Sequence, residues 1–173
     1  GVVGSHVNLA SRIESYTVGG QVLISESTLD ACGGILKIIG QIEVMPKGVD
    51  HPITIYDIGG ITGEFDLILP QKTSRLTEVS PVSVRFRVLE GKYAGKLLHS
   101  GEIVALGERE ADIRSSQQCT ALSNIVLTLW DRGTEISESL YAKVITTVSA
   151  EVFRVCFTSV PPEAEVFLKK LWQ

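Results

Sequence analysis

From residue 82 to residue 158 the chain restarts one pattern again and again. Short runs of alternating or mostly apolar residues (82–88, within 96–106, 111–114, 124–130, 141–148 and 152–158) recur at intervals of roughly a dozen residues, with Gly91 and Gly95 among the punctuation. A period of two puts every second side chain on one face of an extended strand. Runs this short and this closely spaced satisfy their backbones by pairing with one another, which gives a small barrel or sandwich. Pro161-Pro162 then opens a closing helix over 163–172, in which Val166, Phe167, Lys170 and Leu171 are spaced to form one apolar side. The expectation for residues 81–173 is a small β-barrel with a C-terminal helix.

The first part of the chain has a different grammar. Residues 7–15 have helical periodicity, with Leu9, Ala10 and Ile13 on one side and a stop at Gly19-Gly20. A short apolar strand over 21–25, a short helix over 25–31 ended at Gly33-Gly34, one or two strands in 35–44 and an alternating strand over 53–58 follow. The fold class of the whole is α+β. Charge changes along with pattern: residues 1–70 hold three basic against eight acidic residues, and the rest hold thirteen against twelve. The seam is the polar, proline-marked stretch Leu69-Pro70-Gln71-Lys72-Thr73-Ser74-Arg75. This reading gives an α+β unit over 1–70, a linker over 71–80 and the barrel over 81–173. About 60 residues bury only a modest fraction of their surface, so the first unit is expected not to close a core unaided.

Composition excludes several classes of partner. A net charge of −4 without a basic run lacks the footprint of a nucleic-acid binder and the polybasic patch of a membrane-surface protein. The longest apolar stretches, such as 125–130, fall far short of the roughly 20 residues that a bilayer span needs. Cys32, Cys119 and Cys156 are far apart and odd in number, which argues against a zinc site or a disulfide framework and for small buried apolar side chains. A soluble, cytoplasmic piece is expected. A first residue of Gly rather than Met suggests a fragment or a processed chain.

Asn8 and Arg12 are four residues apart on the expected first helix and leave it on the same face. An amide that orients a sugar beside a guanidinium that neutralises a phosphoryl group is a reasonable nucleotide constellation. The spacing alone favours an ordinary solvated helix face. The wider string is more specific. Gly4-Ser-His-Val-Asn8-Leu-Ala-Ser-Arg12-Ile-Glu-Ser15, then Gly20-Gln-Val-Leu-Ile-Ser25, Met45-Pro-Lys47-Gly48 and Ile53-Thr-Ile-Tyr56 closely resembles the last third of the class III adenylate/guanylate cyclase catalytic domain. The resemblance implies that Asn8 contacts the ribose of ATP or GTP and that Arg12 stabilises charge on the α-phosphate as the 3′-hydroxyl attacks and pyrophosphate leaves. It also implies that Lys47 binds the triphosphate. Cyclases of this class hold Mg or Mn with aspartates from the first half of the domain, which lies upstream of Gly1. The 173 residues alone are therefore expected to be inactive, and the parent enzyme to act as a homodimer with shared sites. Gly1 stands where the family usually has a residue that helps to read the purine, so ATP and GTP both remain open.

The second unit resembles a PilZ domain through 101–107 leading into 111–115, the strand over 141–148, and 155–160 followed by a helix. Members of that family that bind cyclic di-GMP use an RxxxR arm and a D/N-x-S-x-x-G turn. Here no two arginines are four apart, and Ala105, Gly107 and Glu110 occupy the turn positions. The resemblance thus implies a regulatory barrel without the usual ligand motifs, with Arg85 and Arg87, two apart on one strand face, as the residues left to meet a ligand. The alternative function is a non-catalytic signalling or docking module that binds such a ligand or a protein partner. His6, His51 and His99 lack metal-ligand spacing, Ser5 and Ser25 lack a triad context, and Trp130, Phe153, Phe157 and Phe167 sit in the apolar pattern as expected core.

Overall fold

The structure, a computed structural model, describes residues 1, 3–46, 50–70, 75–90 and 93–172. The chain forms two compact units, residues 1–72 and 73–173. The fold class is α+β.

In the first unit, helix α1 (Ser5–Glu14) is followed by strand β1 (Leu23–Ser25), helix α2 (Glu26–Ala31) and strands β2 (Leu36–Val44), β3 (Ile53–Ile61) and β4 (Leu67–Ile68). The sheet order is β1-β3-β2, with the two-residue β4 also on β3, and every pairing is antiparallel. Helix α1 ends at Glu14, five residues before the expected Gly19-Gly20 stop. Hydroxyls end it instead: Ser15 Oγ donates to the Arg12 carbonyl at 2.6 Å and Thr17 Oγ1 to the Ile13 carbonyl at 3.1 Å. Ser25 caps α2 by accepting from the Thr28 amide at 3.3 Å. Strand β3 runs on past the expected 53–58 through Gly59 and Gly60. A Cβ on Gly60 would come within 2.5 Å of the Leu67 carbonyl, so β4 can pair there only because the position is glycine. Among the described residues of this unit the buried apolar side chains are Ile13, Val44, Ile55 and Ile58.

The second unit holds β5 (Thr77–Glu90), β6 (Tyr93–Ala94), β7 (His99–Leu106), β8 (Glu110–Arg114), β9 (Asn124–Asp131), β10 (Thr134–Ser149), β11 (Val152–Ser159) and helix α3 (Pro162–Trp172). Six strands pair in the order β5-β7-β8-β11-β10-β9, and β9 returns to β5, so the sheet closes on itself as an antiparallel barrel. Strand β6 is a short extension paired with the end of β5. Closure runs through six consecutive pairs, from Ser83 opposite Trp130 to Val88 opposite Ile125. Alternation then decides what lies inside: Val84, Phe86, Ile125, Leu127 and Leu129 are buried, together with Ile103, Ile113, Leu140, Val144, Phe153 and Val155. Phe86 and Phe153 meet edge to face with centroids 5.7 Å apart. Each such side chain contributes about 1.5–3 kcal/mol when withdrawn from water.

Four expectations for this unit are corrected. Strand β5 starts at Thr77, inside the stretch expected to be linker, and β10 starts at Thr134, seven residues before the expected 141. The inner face of α3 is Ala164, Phe167, Leu168 and Leu171, at positions i, i+3, i+4 and i+7, whereas Val166 is 56% exposed. Trp130 is only half-buried and points outward, because the alternation of β9 spends its inward positions on Ile125, Leu127 and Leu129.

Candidate nucleotide site and barrel surface

Helix α1 is held by the loop that follows it. The Gln21 side chain accepts from the Val18 amide at 3.1 Å and donates to Asp57 Oδ2 at 3.0 Å, which ties the loop to β3. The helix packs on β1 through Ile13. With Leu9 and Ile13 turned inward, the 3.6-residue period leaves Asn8 exposed and Arg12 half-exposed one turn apart on the neighbouring face. The structure therefore brings these two candidates together as a pair. An amide and a guanidinium about 5–6 Å apart at Cβ can address one polyanionic ligand, the first through directed hydrogen bonds and the second through a fork of N–H donors.

The third candidate of this unit, Lys47, lies outside the described residues. A groove of about 620 Å³ lies between α1 and the β1–α2 segment, lined by His6, Leu9, Ala10, Ile13, Gln21 and Leu23 among others. Asn8 and Arg12 do not line it, so the pair belongs to a different face of the helix.

In the barrel, Arg85 and Arg87 are both on β5, but their side chains are committed differently. The Arg85 guanidinium lies over the Trp130 ring, 4.8 Å from its centroid, a diagonal pair across β5 and β9. Arg87 Nη1 donates to the carbonyls of Gly95 and Lys96 at 3.3 and 3.1 Å, bracing the chain after β6. The turn carrying Ala105, Gly107 and Glu110 joins β7 to β8 and is closed by the Gly107 amide donating to the Glu110 carbonyl at 2.9 Å. Ala105 pairs with Glu78, whereas Arg85 pairs with Ser100. The two arginines therefore lie roughly 20 Å along β5 from the turn, and the structure does not bring them together with it. Arg109 lies within this turn, its carbonyl accepting from the Phe157 amide at 2.8 Å, and the Arg75 backbone packs beside it: a Cβ on Gly107 would lie 3.1 Å from the Arg75 carbonyl oxygen.

Several polar groupings were not singled out from sequence. Asp112, buried on β8, is gripped by Arg154 of β11 through Nε to Oδ1 at 2.7 Å and Nη2 to Oδ2 at 2.9 Å, and the two are direct cross-strand partners. Their spacing of 42 residues left no local signal. The hydrogen bonds that Arg154 donates to Asp112 hold its guanidinium above its usual pKa against the opposing effect of burial. On β10 the exposed Glu135 carboxyl is pushed up, first by desolvation and then by its hydrogen bond with Glu138 and the charge of Glu138, with Arg85 acting in the opposite direction. His99 stacks against Phe86 with centroids 5.4 Å apart. Among the described residues no three His, Cys, Asp or Glu side chains come together to hold a metal ion. No described helix is long and apolar enough to cross a membrane.

No family model matches the chain, and no curated protein is similar to it. Among solved structures, the crystal structure of the guanylyl cyclase Cya2 is similar over 40% of this chain, with 48% identity and a TM-score of 0.39. The shared segment spans 36% of that chain.

Proposed function

We propose that residues 1–70 are the C-terminal part of a class III nucleotide cyclase catalytic domain, and that the barrel is an appended regulatory module of PilZ type. The observation that carries the reading is the pairing of exposed Asn8 with half-exposed Arg12 on one face of α1, set within the ordered string of cyclase-like residues from Gly4 to Tyr56. In this reading Asn8 orients the ribose of ATP or GTP by hydrogen bonding, which fixes the 3′-hydroxyl near its target. Arg12 gathers the negative charge that builds on the α-phosphate as pyrophosphate departs, and Lys47 holds the triphosphate in ground and transition states alike. Mg or Mn would be held by aspartates outside these 173 residues. The piece alone is inactive, and the parent acts as a homodimer that shares its sites.

In the parent enzyme, Arg12→Ala is expected to lower turnover by about 10² while changing the Michaelis constant little. Lys47→Ala should mainly raise the Michaelis constant. Unchanged turnover in Arg12→Ala removes the assignment. The barrel reading implies no micromolar binding of cyclic di-GMP by the chain, because Glu110 places a carboxylate where the family's turn wants glycine.

A further inference from the structure

On the outer wall of the barrel, strand register brings a polar row together. Ser83 on β5 faces Trp130 on β9 and Glu102 on β7, and Glu102 faces Arg114 on β8. In the next row Arg85 faces Ser100, two residues along the same face of each strand. The register shifts of β5 with β7 and of β7 with β8 fall outside these pairs, and β5 with β9 has none. These residues line a groove of about 550 Å³, at the end of β7 and β8 away from the turn that carries Gly107. Its floor is small: a Cβ on Gly101 would meet the Arg114 carbonyl oxygen at 2.8 Å. Buried Ser115 fixes one wall, its hydroxyl donating to the Ser100 carbonyl at 2.7 Å and accepting from the Gln117 amide at 3.1 Å. The polar groups that remain are uncommitted. Among the described residues no hydrogen bond or ion pair engages the Arg85 guanidinium or the hydroxyls of Ser83 and Ser100. The Trp130 Nε1–H, shut off from water, has no acceptor among them either, and a buried donor without a partner calls for an explanation. Glu102 accepts from Arg114 Nη2 at 2.7 Å through one carboxylate oxygen, which leaves the other to accept.

We propose that this groove binds a nucleoside monophosphate. The fork of Arg85 and the hydroxyls of Ser83 and Ser100 converge from two neighbouring strands, and three such donors suit the oxygens of one phosphate group. Arg85 lies over Trp130 and is otherwise exposed, so a base finds a guanidinium and an indole to stack against. The uncommitted oxygen of Glu102 accepts from a ribose hydroxyl. The same carboxylate limits how much negative charge the groove admits, and Glu135, the strand partner of Trp130, does so from the other side. One phosphate is served and a triphosphate is repelled. Because every group sits on a strand of a closed sheet, the site is formed before the ligand arrives. The inference goes beyond the cyclase reading: it rests on the barrel alone and is separate from the Asn8/Arg12 pair of α1.

The test is calorimetric titration of the full chain with AMP, GMP and ATP, on the unaltered sequence and on Arg12→Ala, which disables the α1 pair. AMP or GMP is expected to bind both chains alike, with a dissociation constant below about 1 mM. Arg85→Gln should weaken that binding by about tenfold or more, and Ser100→Ala by about threefold or more. Both positions are exposed, and circular dichroism verifies that the variants fold. ATP should bind the Arg12→Ala chain about tenfold more weakly than AMP, and Glu102→Gln on that background, which removes the repulsion, should narrow the gap. Absence of nucleoside monophosphate binding in the Arg12→Ala chain overturns the proposal, as does binding indifferent to both Arg85→Gln and Ser100→Ala. ATP bound as tightly as AMP by the Arg12→Ala chain overturns it too. Binding that is lost in Arg12→Ala but kept in Arg85→Gln belongs to α1, which overturns the barrel site and leaves the cyclase reading standing.

Discussion

Asp112 shows how a charge is kept inside the barrel wall. The carboxylate is nearly out of water, and its two oxygens are each answered by a nitrogen of one guanidinium. Removing the arginine would leave a desolvated anion, and removing the aspartate leaves a cation that is one-third exposed and can rehydrate. The cost is therefore asymmetric. Asp112→Ala is expected to destabilise the barrel by about 1–2 kcal/mol and Arg154→Ala by about 3 kcal/mol, as read from the urea midpoint followed by Trp130 fluorescence. Cysteine offers a pH-dependent counterpart. Burial pushes the Cys119 thiol above its ordinary value of 9.0, so the folded state favours the protonated form. That contribution is fully present below the unfolded value and is lost as pH rises through the folded one. At pH 8 the half-buried Cys32 should react with iodoacetamide first, with Cys119 and Cys156, both buried, protected until the barrel opens. Stability of the barrel should fall on passing above about pH 9.

At the scale of elements, the tightest constraint is the turn between β9 and β10. Asp131 pairs with Thr134, so only Arg132 and Gly133 make the connection, and both have positive φ, 47° and 84°. A two-residue hairpin with that sign at both central positions matches the right-handed twist of the strands, and it prefers Asn-Gly. Gly133 adopts the conformation freely, whereas arginine is held in a region that non-glycine residues seldom occupy. Arg132→Asn is expected to stabilise the chain by about 0.5 kcal/mol and Gly133→Ala to destabilise it by about 1 kcal/mol, both measured by thermal denaturation. Helix α3 was legible in sequence as an element but not as a face. The periodicity admits two neighbouring stripes, and only contact with β5, β7 and β10 selects the one through Ala164 and Leu168.

Across the whole molecule, the barrel was more legible than the unit before it. Alternation in 82–88 and 124–130 identifies inward residues without knowledge of partners, because a strand in a closed barrel has one dry face. The first unit offers fewer such constraints: β4 is two residues long, too short to show a period, and β2 has no dry face to alternate against. The candidate site was legible as spacing, since Asn8 and Arg12 need only one helix to meet. The Arg85–Trp130 stack and the Asp112–Arg154 pair needed the sheet register, which no local pattern encodes. Buried apolar side chains are dense in the barrel and sparse in residues 1–72, so local opening should be far easier in the latter. Amide hydrogen exchange followed by mass spectrometry is expected to label β2 and α1 well before β5, β9 and β11; equal protection of the two units would contradict this. The ring of β5, β7, β8, β11, β10 and β9 has a further consequence during synthesis. Strand β5 leaves the ribosome first of the six, but one of its flanks waits for β9, and β8 waits for β11. At about 5–20 residues per second, the roughly 80 residues from β5 to the end of β11 take seconds to emerge. For that interval Val84 and Phe86 have no interior to enter, and the nascent chain depends on chaperones or on speed to stay out of aggregates.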